Sequence, residues 1–226
     1  MPRPSRNIDQ VLLQSGRVLY PLHGCAGLSL RLLAEHAQVN VGMFHYHFQS
    51  KENFLRELLA QMYEELFQSL QQEASIAGTP LQRLRQALCR LGRLMREHGH
   101  WLGRVLADAS HGEPVAMAFL QANGARHVAL LMGLLEQAAQ EGSLLAPMAP
   151  MQRVTFLMGA VVAPMVIAPR AMQLGIVPAP LADGIQNDVL SDAGIAQRVD
   201  YALWALTHRS SPDNLHATSA KDASHG

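Results

Sequence analysis

Apolar residues recur at helical spacing along most of the chain, and no stretch alternates apolar and polar positions as a β-strand does. A first amphipathic stretch runs from Ile8, and Gly24 supplies its C-terminal stop. Two shorter stretches follow, with Ser29 and Asn40 placed as N-caps, because these side chains accept hydrogen bonds from free backbone N–H groups. The pattern predicts three short helices before Ser50.

Longer helices are predicted for the remainder, so the fold class is all-α. Ser50 caps a helix that reaches about Ser75, and residues 79–82 (Thr-Pro-Leu-Gln) combine a capping box with proline at the first helical position. Glycine and proline separate the further helical stretches, which are about 80–97, 100–109, 114–141, 150–172 and 195–208. The segment 175–194 is rich in Pro, Ala, Gly and Asp, which predicts a loop.

Composition predicts a packed globule and leaves the partner open. Of 226 residues, 49% are apolar and 16% are charged, so the chain can bury a full core. The formal net charge is zero, and overall balance therefore does not point to nucleic acid. Charge is unevenly placed, however, because residues 1–56 carry six Lys or Arg against three Asp or Glu.

The cysteines and the apolar runs bear on the compartment. Cys25 and Cys89 lie far apart and form no metal-ligand spacing, and no leader-like segment opens the chain, so we expect a cytoplasmic protein. The longest uncharged apolar run, Val154 to Ala168, is interrupted by Pro164 and is shorter than the roughly 20 residues that cross a bilayer. It predicts a buried or interface helix, with no membrane partner.

The most informative segment is 29–54, in which two short capped helices are joined by a tight turn at Gln38 to Asn40. This is the helix-turn-helix arrangement, whose second helix enters the major groove of DNA. If Phe44 and Phe48 face inward, helical geometry turns the opposite face outward. The residues predicted on or beside that DNA-facing side are Val41, Gly42, Met43, His45 and Tyr46. Helix starts attract phosphate oxygens, which adds Ser29, Arg31, Asn40 and Lys51 as phosphate contacts.

The spacing Ala34-x-x-Ala37-x-Val39-Asn40-x-Gly42-x-x-x-Tyr46-x-Phe48-x-Ser50-Lys51-Glu52-x-Phe54 resembles the signature of the tetracycline-repressor (TetR) family. The resemblance covers about residues 8–60. It implies a homodimer that binds a palindromic operator in double-stranded DNA, most commonly a repressor that releases the operator on binding a small molecule, without a cofactor. The departures are Leu28, Val41 and His45, where the family often has a hydroxyl, a basic residue and tyrosine, so no operator sequence carries over.

The resemblance also divides the chain into functional parts. It implies a DNA-binding domain over 1–50 and a helical effector-binding and dimerisation domain over 51–209. Residues 210–226 are a non-periodic mixture of mainly Ser, Ala, Asp and His, which predicts a disordered tail. Helices near 153–171 and 195–207 are the expected dimer contacts, although the first could instead be the central helix of one subunit. The candidate ligand-binding residues are Met95, Trp101, Arg104, His127 and Phe156.

Several alternatives stay open at this stage. A transcriptional activator of the same fold differs only in where its operator lies. A helical small-molecule-binding protein or enzyme with a vestigial motif is disfavoured, because no nucleophile, base and orienting group recur at a legible spacing, so no catalytic residue is predicted. The cluster of His98, His100, Asp108 and His111 lacks helix-spaced metal ligands, and no metal site is predicted. We interpret Cys25 as a buried, unreactive thiol rather than a redox sensor.

Overall fold

The computed structural model describes residues 7–145 and 147–208, and within those ranges every regular element is helical. The predicted tail, 210–226, lies outside the described residues. The helices are α1 (Ile8–Gly27), α2 (Leu30–Ala37), α3 (Val41–Phe48), α4 (Lys51–Ala74), α5 (Pro80–Ser110), α6 (Pro114–Asn123), α7 (Arg126–Gln140), α8 (Pro150–Gln173), α9 (Ala179–Gly184) and α10 (Asp192–Thr207). A π-helical turn, Ile185–Val189, links α9 to the segment before α10. The all-α prediction is confirmed.

The helix starts lie where the capping residues predicted them. The side chains of Ser29, Asn40 and Ser50 each accept a backbone N–H two or three residues further on, at 3.1, 2.8 and 3.1 Å. Thr79 and Gln82 form the reciprocal capping box, with the Thr79 N–H donating to the Gln82 side chain and the Gln82 N–H to the Thr79 hydroxyl. Local polar chemistry therefore fixes four of the helix starts.

Three segments differ from the predicted elements. Helix α5 runs unbroken through Gly99, because its buried stripe of Leu94, Trp101 and Val105 continues across the glycine and outweighs a propensity cost of about 1 kcal/mol. The predicted helix 114–141 divides into α6 and α7, and the Asn123 side chain donates to a carbonyl at the end of α6. The predicted loop 175–194 contains α9 and the π-helical turn.

The chain forms two compact units, neither of which is continuous in sequence. Among the described residues, unit 1 comprises 7–72 and 94–129, and unit 2 comprises 73–93, 130–145 and 147–208. Unit 1 therefore contains α1 to α3, most of α4, the second half of α5, and α6. Unit 2 contains the first half of α5, most of α7, and α8 to α10.

The core of unit 1 requires close approach of α1 to α4. A Cβ atom added at Gly16 would lie 2.7 Å from the Phe54 ring and 2.9 Å from Leu58. Both of those side chains are completely buried, so neither can swing aside. Glycine at this position is thus required by packing, because only a missing side chain lets the two helices come this close.

Replacing Gly16 with Ala is therefore expected to lower the free energy of unfolding by about 1–3 kcal/mol through overpacking. Chemical denaturation of both proteins measures the difference. The matched control is Gly133→Ala in α7, where an added Cβ meets no atom within 4 Å, and helix propensity alone predicts a gain of about 0.5–1 kcal/mol. Equal losses in both variants would contradict the packing explanation.

In unit 2, α8 packs against α10 and leaves much of its apolar surface uncovered. Val154, Leu157 and Val161 are among the residues that α8 buries. Among the described helices, α8 is the one long and apolar enough to cross a membrane, yet only 22% of its most apolar stretch is buried. The large exposed side chains on α8 and α10 are Met151, Phe156, Val166, Ile167, Tyr201 and Trp204. Such a surface on a folded unit indicates a further contact.

Candidate nucleic-acid interface

The turn between α2 and α3 is fixed by backbone hydrogen bonds. Gln38 adopts the left-handed conformation with φ 55° and ψ 39°, and its N–H donates to the carbonyl of Glu35. The N–H of Val39 donates to the carbonyl of Ala34 at 3.0 Å, which ends α2 as a Schellman-type cap. Asn40, three residues after Ala37, is the N-cap of α3.

Helix α3 is anchored by aromatic residues on one face. Phe44 and Phe48 are buried, and their ring centroids lie 5.4 and 5.0 Å from that of Phe54 at the start of α4. Edge-on and tilted packing of this kind holds the rings firmly. The anchored face sets which residues of α3 point outward.

The opposite face of α3 is open to solvent. Tyr46 is 72% exposed, and Val41, Gly42 and His45 are also exposed, while Met43 is half-buried at the edge. This is the division between faces that the sequence predicted. It leaves a phenol hydroxyl, an imidazole and small apolar groups on one side of a two-turn helix.

Gly42 is crowded by a single side-chain atom. An added Cβ would lie 3.3 Å from the Asn40 side-chain oxygen, which would have to shift by a few tenths of an ångström, and the position lies outside the left-handed region. Within the described residues, no backbone or core atom requires the missing side chain. The backbone at Gly42 is open toward the outward face of α3.

The predicted phosphate contacts are arranged around the two helix starts. Ser29, Arg31 and Asn40 are exposed, and the first and third also cap their helices. Lys51 is half-buried, and its ammonium donates to the carbonyl of Ala26 at 3.2 Å. Lys51 therefore holds the end of α1, and since an ammonium carries three donors, it can serve a phosphate at the same time.

The ligand candidates are distributed over both units. Met95, Trp101, Arg104 and His127 belong to unit 1, whereas Phe156 belongs to unit 2. Trp101 is buried with its ring edge toward Phe119, and burial lowers the pKa of His127, which favours its neutral form.

Arg104 and Phe156 have different surroundings. Arg104 forms an ion pair with Asp108 at 3.2 Å and donates to the carbonyl of His23. Phe156 lies on the exposed side of α8, in a shallow apolar groove of about 560 Å³. A second, wider groove of about 890 Å³ runs along α10 beside Tyr201 and Trp204.

One cation cluster in unit 1 carries no signal in the sequence. The Arg126 guanidinium lies 4.1 Å from the Phe67 ring centroid and 5.3 Å from that of Tyr63. It also pairs with Glu64 at 2.9 Å, and that hydrogen bond lowers the pKa of the Glu64 carboxyl. The cluster links the start of α7 to α4, and Arg126 is 62 residues away from Glu64 in sequence.

Asp108 and Cys25 are neighbours in the interior of unit 1. Asp108 accepts hydrogen bonds from the Tyr20 hydroxyl and the Cys25 backbone N–H. In the part of the chain that the structure describes, no three His, Cys, Asp or Glu side chains come together as a metal site. Burial, and then the adjacent Asp108 carboxylate, raise the pKa of the Cys25 thiol to about 12, so the reactive thiolate is scarce.

The comparisons with known proteins agree with this architecture. Residues 12–58 match the family model described as bacterial regulatory proteins, tetR family. A TetR-family transcriptional regulator from Agrobacterium tumefaciens superimposes with a TM-score of 0.66 at 17% identity, covering 91% of this chain and 100% of that one. No curated protein sequence matches this chain significantly.

Two further structures with the same fold are a ketosteroid regulator and a regulator bound to an acyl-CoA. The ketosteroid transcriptional regulator KstR2 of Mycobacterium tuberculosis gives a TM-score of 0.63 at 18% identity, covering 89% of this chain and 95% of that one. FadR from Bacillus subtilis, in complex with stearoyl-CoA, gives a TM-score of 0.59 at 13% identity, covering 88% of this chain and 97% of that one. The sequence from α1 to the start of α4 thus matches the tetR family of bacterial regulatory proteins, and the chain shares its fold with a regulator of that family over most of its length.

Proposed function

We propose that this protein is a dimeric DNA-binding transcriptional repressor that releases a palindromic operator when it binds a small molecule. The observation that carries the proposal is the outward face of α3, where a bare backbone at Gly42 adjoins the exposed Tyr46. Proteins of this family bind DNA and small-molecule effectors. A helix of this kind is presented to the major groove in helix-turn-helix proteins.

The proposed contacts divide into two groups by chemistry. Tyr46 and His45 offer hydrogen bonds to bases or phosphates, while Val41 and Met43 offer apolar contact to thymine methyl groups. The phosphate contacts are assigned to Ser29, Arg31, Asn40 and Lys51, which lie at helix starts. The second group sets affinity and register rather than sequence preference.

A second copy of the chain is the proposed partner for the uncovered surface of α8 and α10. Ile167 on α8 and Trp204 on α10 are 65% and 54% exposed, and exposed apolar surface of this kind marks interaction sites. A symmetric contact of two helices from each copy would cover the exposed apolar side chains of α8 and α10 in both subunits. Two-fold symmetry then presents two copies of α3, which is why we expect a palindromic operator.

The effector site is proposed to lie in unit 1, against Met95, Trp101 and His127 on α5 and α7. Methionine and tryptophan supply an adaptable apolar wall, and the pKa of His127, lowered by burial, favours a neutral hydrogen-bonding group. Arg104 is engaged by Asp108, and Phe156 faces the proposed dimer contact. We therefore favour a largely apolar effector.

Binding to the DNA upstream of the protein's own gene tests the proposal. We expect a retarded complex in a gel-shift experiment that survives excess unrelated duplex and weakens steeply as salt is raised, because phosphate contacts displace counterions. A helical enzyme or carrier with a vestigial motif would give no such complex. Absence of sequence-selective binding at every salt concentration would count against the proposal.

Replacing Gly42 with Ala is expected to separate stability from function. Alanine favours the helix by up to about 1 kcal/mol relative to glycine, so the free energy of unfolding should rise or stay unchanged. The added methyl group points toward the DNA-facing side and should weaken operator binding by about tenfold, equal to about 1.4 kcal/mol.

Fluorescence anisotropy with labelled operator measures the affinity, and denaturation measures stability. Gly133→Ala is the matched control, since it changes helix propensity in α7 without touching the proposed interface. Unchanged operator affinity in Gly42→Ala would contradict close approach of the backbone to DNA.

A further inference from the structure

Unit 1 contains a buried carboxylate that the proposed DNA contacts do not use. Asp108, on α5, is only 6% exposed. One of its oxygens accepts the Tyr20 hydroxyl at 3.0 Å and the Cys25 backbone N–H at 2.7 Å. Its other oxygen pairs with Arg104 Nε at 3.2 Å. We refer to Tyr20, Cys25, Arg104 and Asp108 together as the α1 clip.

The α1 clip holds a specially shaped end of α1. Gly24 leaves the helical conformation with φ 65° and ψ −172°, and an added Cβ there would lie 2.6 Å from an Asp108 oxygen. This kink turns the Cys25 N–H toward Asp108, while Arg104 donates to the carbonyl of His23 at 2.9 Å. Both a donor and an acceptor of the α1 backbone are thus bound by side chains of α5.

The α1 clip is better suited to fixing the orientation of α1 relative to α5 than to adding stability. Removing a carboxylate from water is costly, and an apolar contact of the same size would stabilise a fold at least as well. Charged hydrogen bonds, however, are short and directional, and here they hold α1 at both sides of a kink. Helices α2 and α3 pack directly on α1, so the orientation of α1 carries α3 with it.

We propose that Arg104 and Asp108 are positioning residues for operator recognition, which hold the end of α1 and the attached α2 and α3 at one angle to α5. The proposal rests on the proposed function, since it concerns how α3 is presented to DNA. A symmetric repressor must place two copies of α3 on two half-sites at once. Loosening the α1 clip would then weaken binding to a full operator while leaving a single half-site contact unchanged.

Cys25 provides a reporter that needs no DNA. Its thiol is in a residue that is 2% exposed, and its pKa is raised, so alkylation requires the α1 clip to open. In a Cys89→Ala background, N-ethylmaleimide labelling followed by mass spectrometry isolates this thiol. Because Asp108 itself raises the pKa of this thiol, labelling rates are compared after correction for the thiolate fraction of each protein. On that basis we expect Asp108→Asn, which keeps the shape but removes the charge, to speed labelling by about tenfold or more.

A second experiment compares the binding affinity for a full operator with that for a single half-site. Both are measured at low salt so that the weaker complex is detectable. Asp108→Asn should weaken full-operator binding by about tenfold and change half-site binding by less than about twofold. Tyr20→Phe removes one hydrogen bond and keeps the ring, so it should change the Cys25 labelling rate and the full-operator affinity in the same directions as Asp108→Asn, but by smaller factors. This variant provides the test if Asp108→Asn does not fold.

Glu65→Gln is the matched control, because it breaks the exposed Arg17–Glu65 pair in the same unit without touching the α1 clip. Unchanged labelling in both Asp108→Asn and Tyr20→Phe would overturn the proposal. Equal losses on full operator and half-site would also overturn it, since they would show a general destabilisation. Failure of the wild-type protein to bind any duplex selectively would instead refute the proposed function, and the labelling result would still stand.

Discussion

Replacing Tyr46 with Ala is expected to weaken operator binding by about 10- to 100-fold while changing the free energy of unfolding by less than about 0.5 kcal/mol. Tyr46 is 72% exposed at the centre of the outward face of α3, so its loss opens no cavity in unit 1. In the proposed complex the same ring would be desolvated against a base or a phosphate. The affinity loss follows from removing that contact alone.

Fluorescence anisotropy with an operator duplex and chemical denaturation of the free protein give the two numbers. Leu106→Ala on α5 is the control, because Leu106 is similarly exposed in unit 1 but lies outside the helix-turn-helix. A Tyr46→Ala protein that binds as tightly as the wild type would show that α3 does not contact DNA through this face.

Placing acidic residues on the uncovered surface of unit 2 is expected to give a monomer. In the variant Ile167→Glu with Trp204→Glu, each copy would bring two buried carboxylates to the proposed contact, with no cation assigned to pair with them. The dimer dissociation constant should rise by more than about 100-fold, equal to about 2.7 kcal/mol. Operator binding should fall as well, because one subunit reaches only one half-site.

Sedimentation at micromolar concentration measures the change in association. Leu106→Glu provides the control, since it introduces the same charge at an exposed apolar position of unit 1. If the double variant stays dimeric, or if the wild-type protein is itself monomeric over the same range, then α8 and α10 do not form the subunit contact.

Features set by neighbouring residues could be predicted from the sequence. The capping side chains of Ser29, Asn40 and Ser50 act on N–H groups two or three residues away, so their types and spacing suffice. The two faces of α3 follow from Phe44 and Phe48 one turn apart. The helix-turn-helix part of the candidate site was therefore predictable.

Features set by distant residues were not predictable in the same way. Asp108 follows His98 and His100 in sequence, which suggested only a weak metal cluster, whereas its partners Tyr20 and Cys25 are 88 and 83 residues away. The sequence offers Arg104 as a candidate ligand-binding residue. No local pattern indicates that Arg104 also contacts Asp108 and the carbonyl of His23 at the kinked end of α1.

The discontinuous compact units also depend on contacts between distant residues. Sequence patterns predict domains as contiguous ranges, whereas α5 contributes its first half to unit 2 and its second half to unit 1. Gly99 suggested a break within this helix, yet the buried stripe through Trp101 and Val105 keeps it continuous. Packing of the two ends of one helix into different cores is a property of tertiary structure.

The most direct test of the central claim is selection of bound fragments from random double-stranded DNA with the full-length protein. We predict enrichment of a palindrome whose half-sites are separated by about one helical turn, or a multiple of it, as expected for two symmetry-related copies of α3. Recovery of unenriched sequence, with affinity that depends on salt but not on sequence, would contradict the claim.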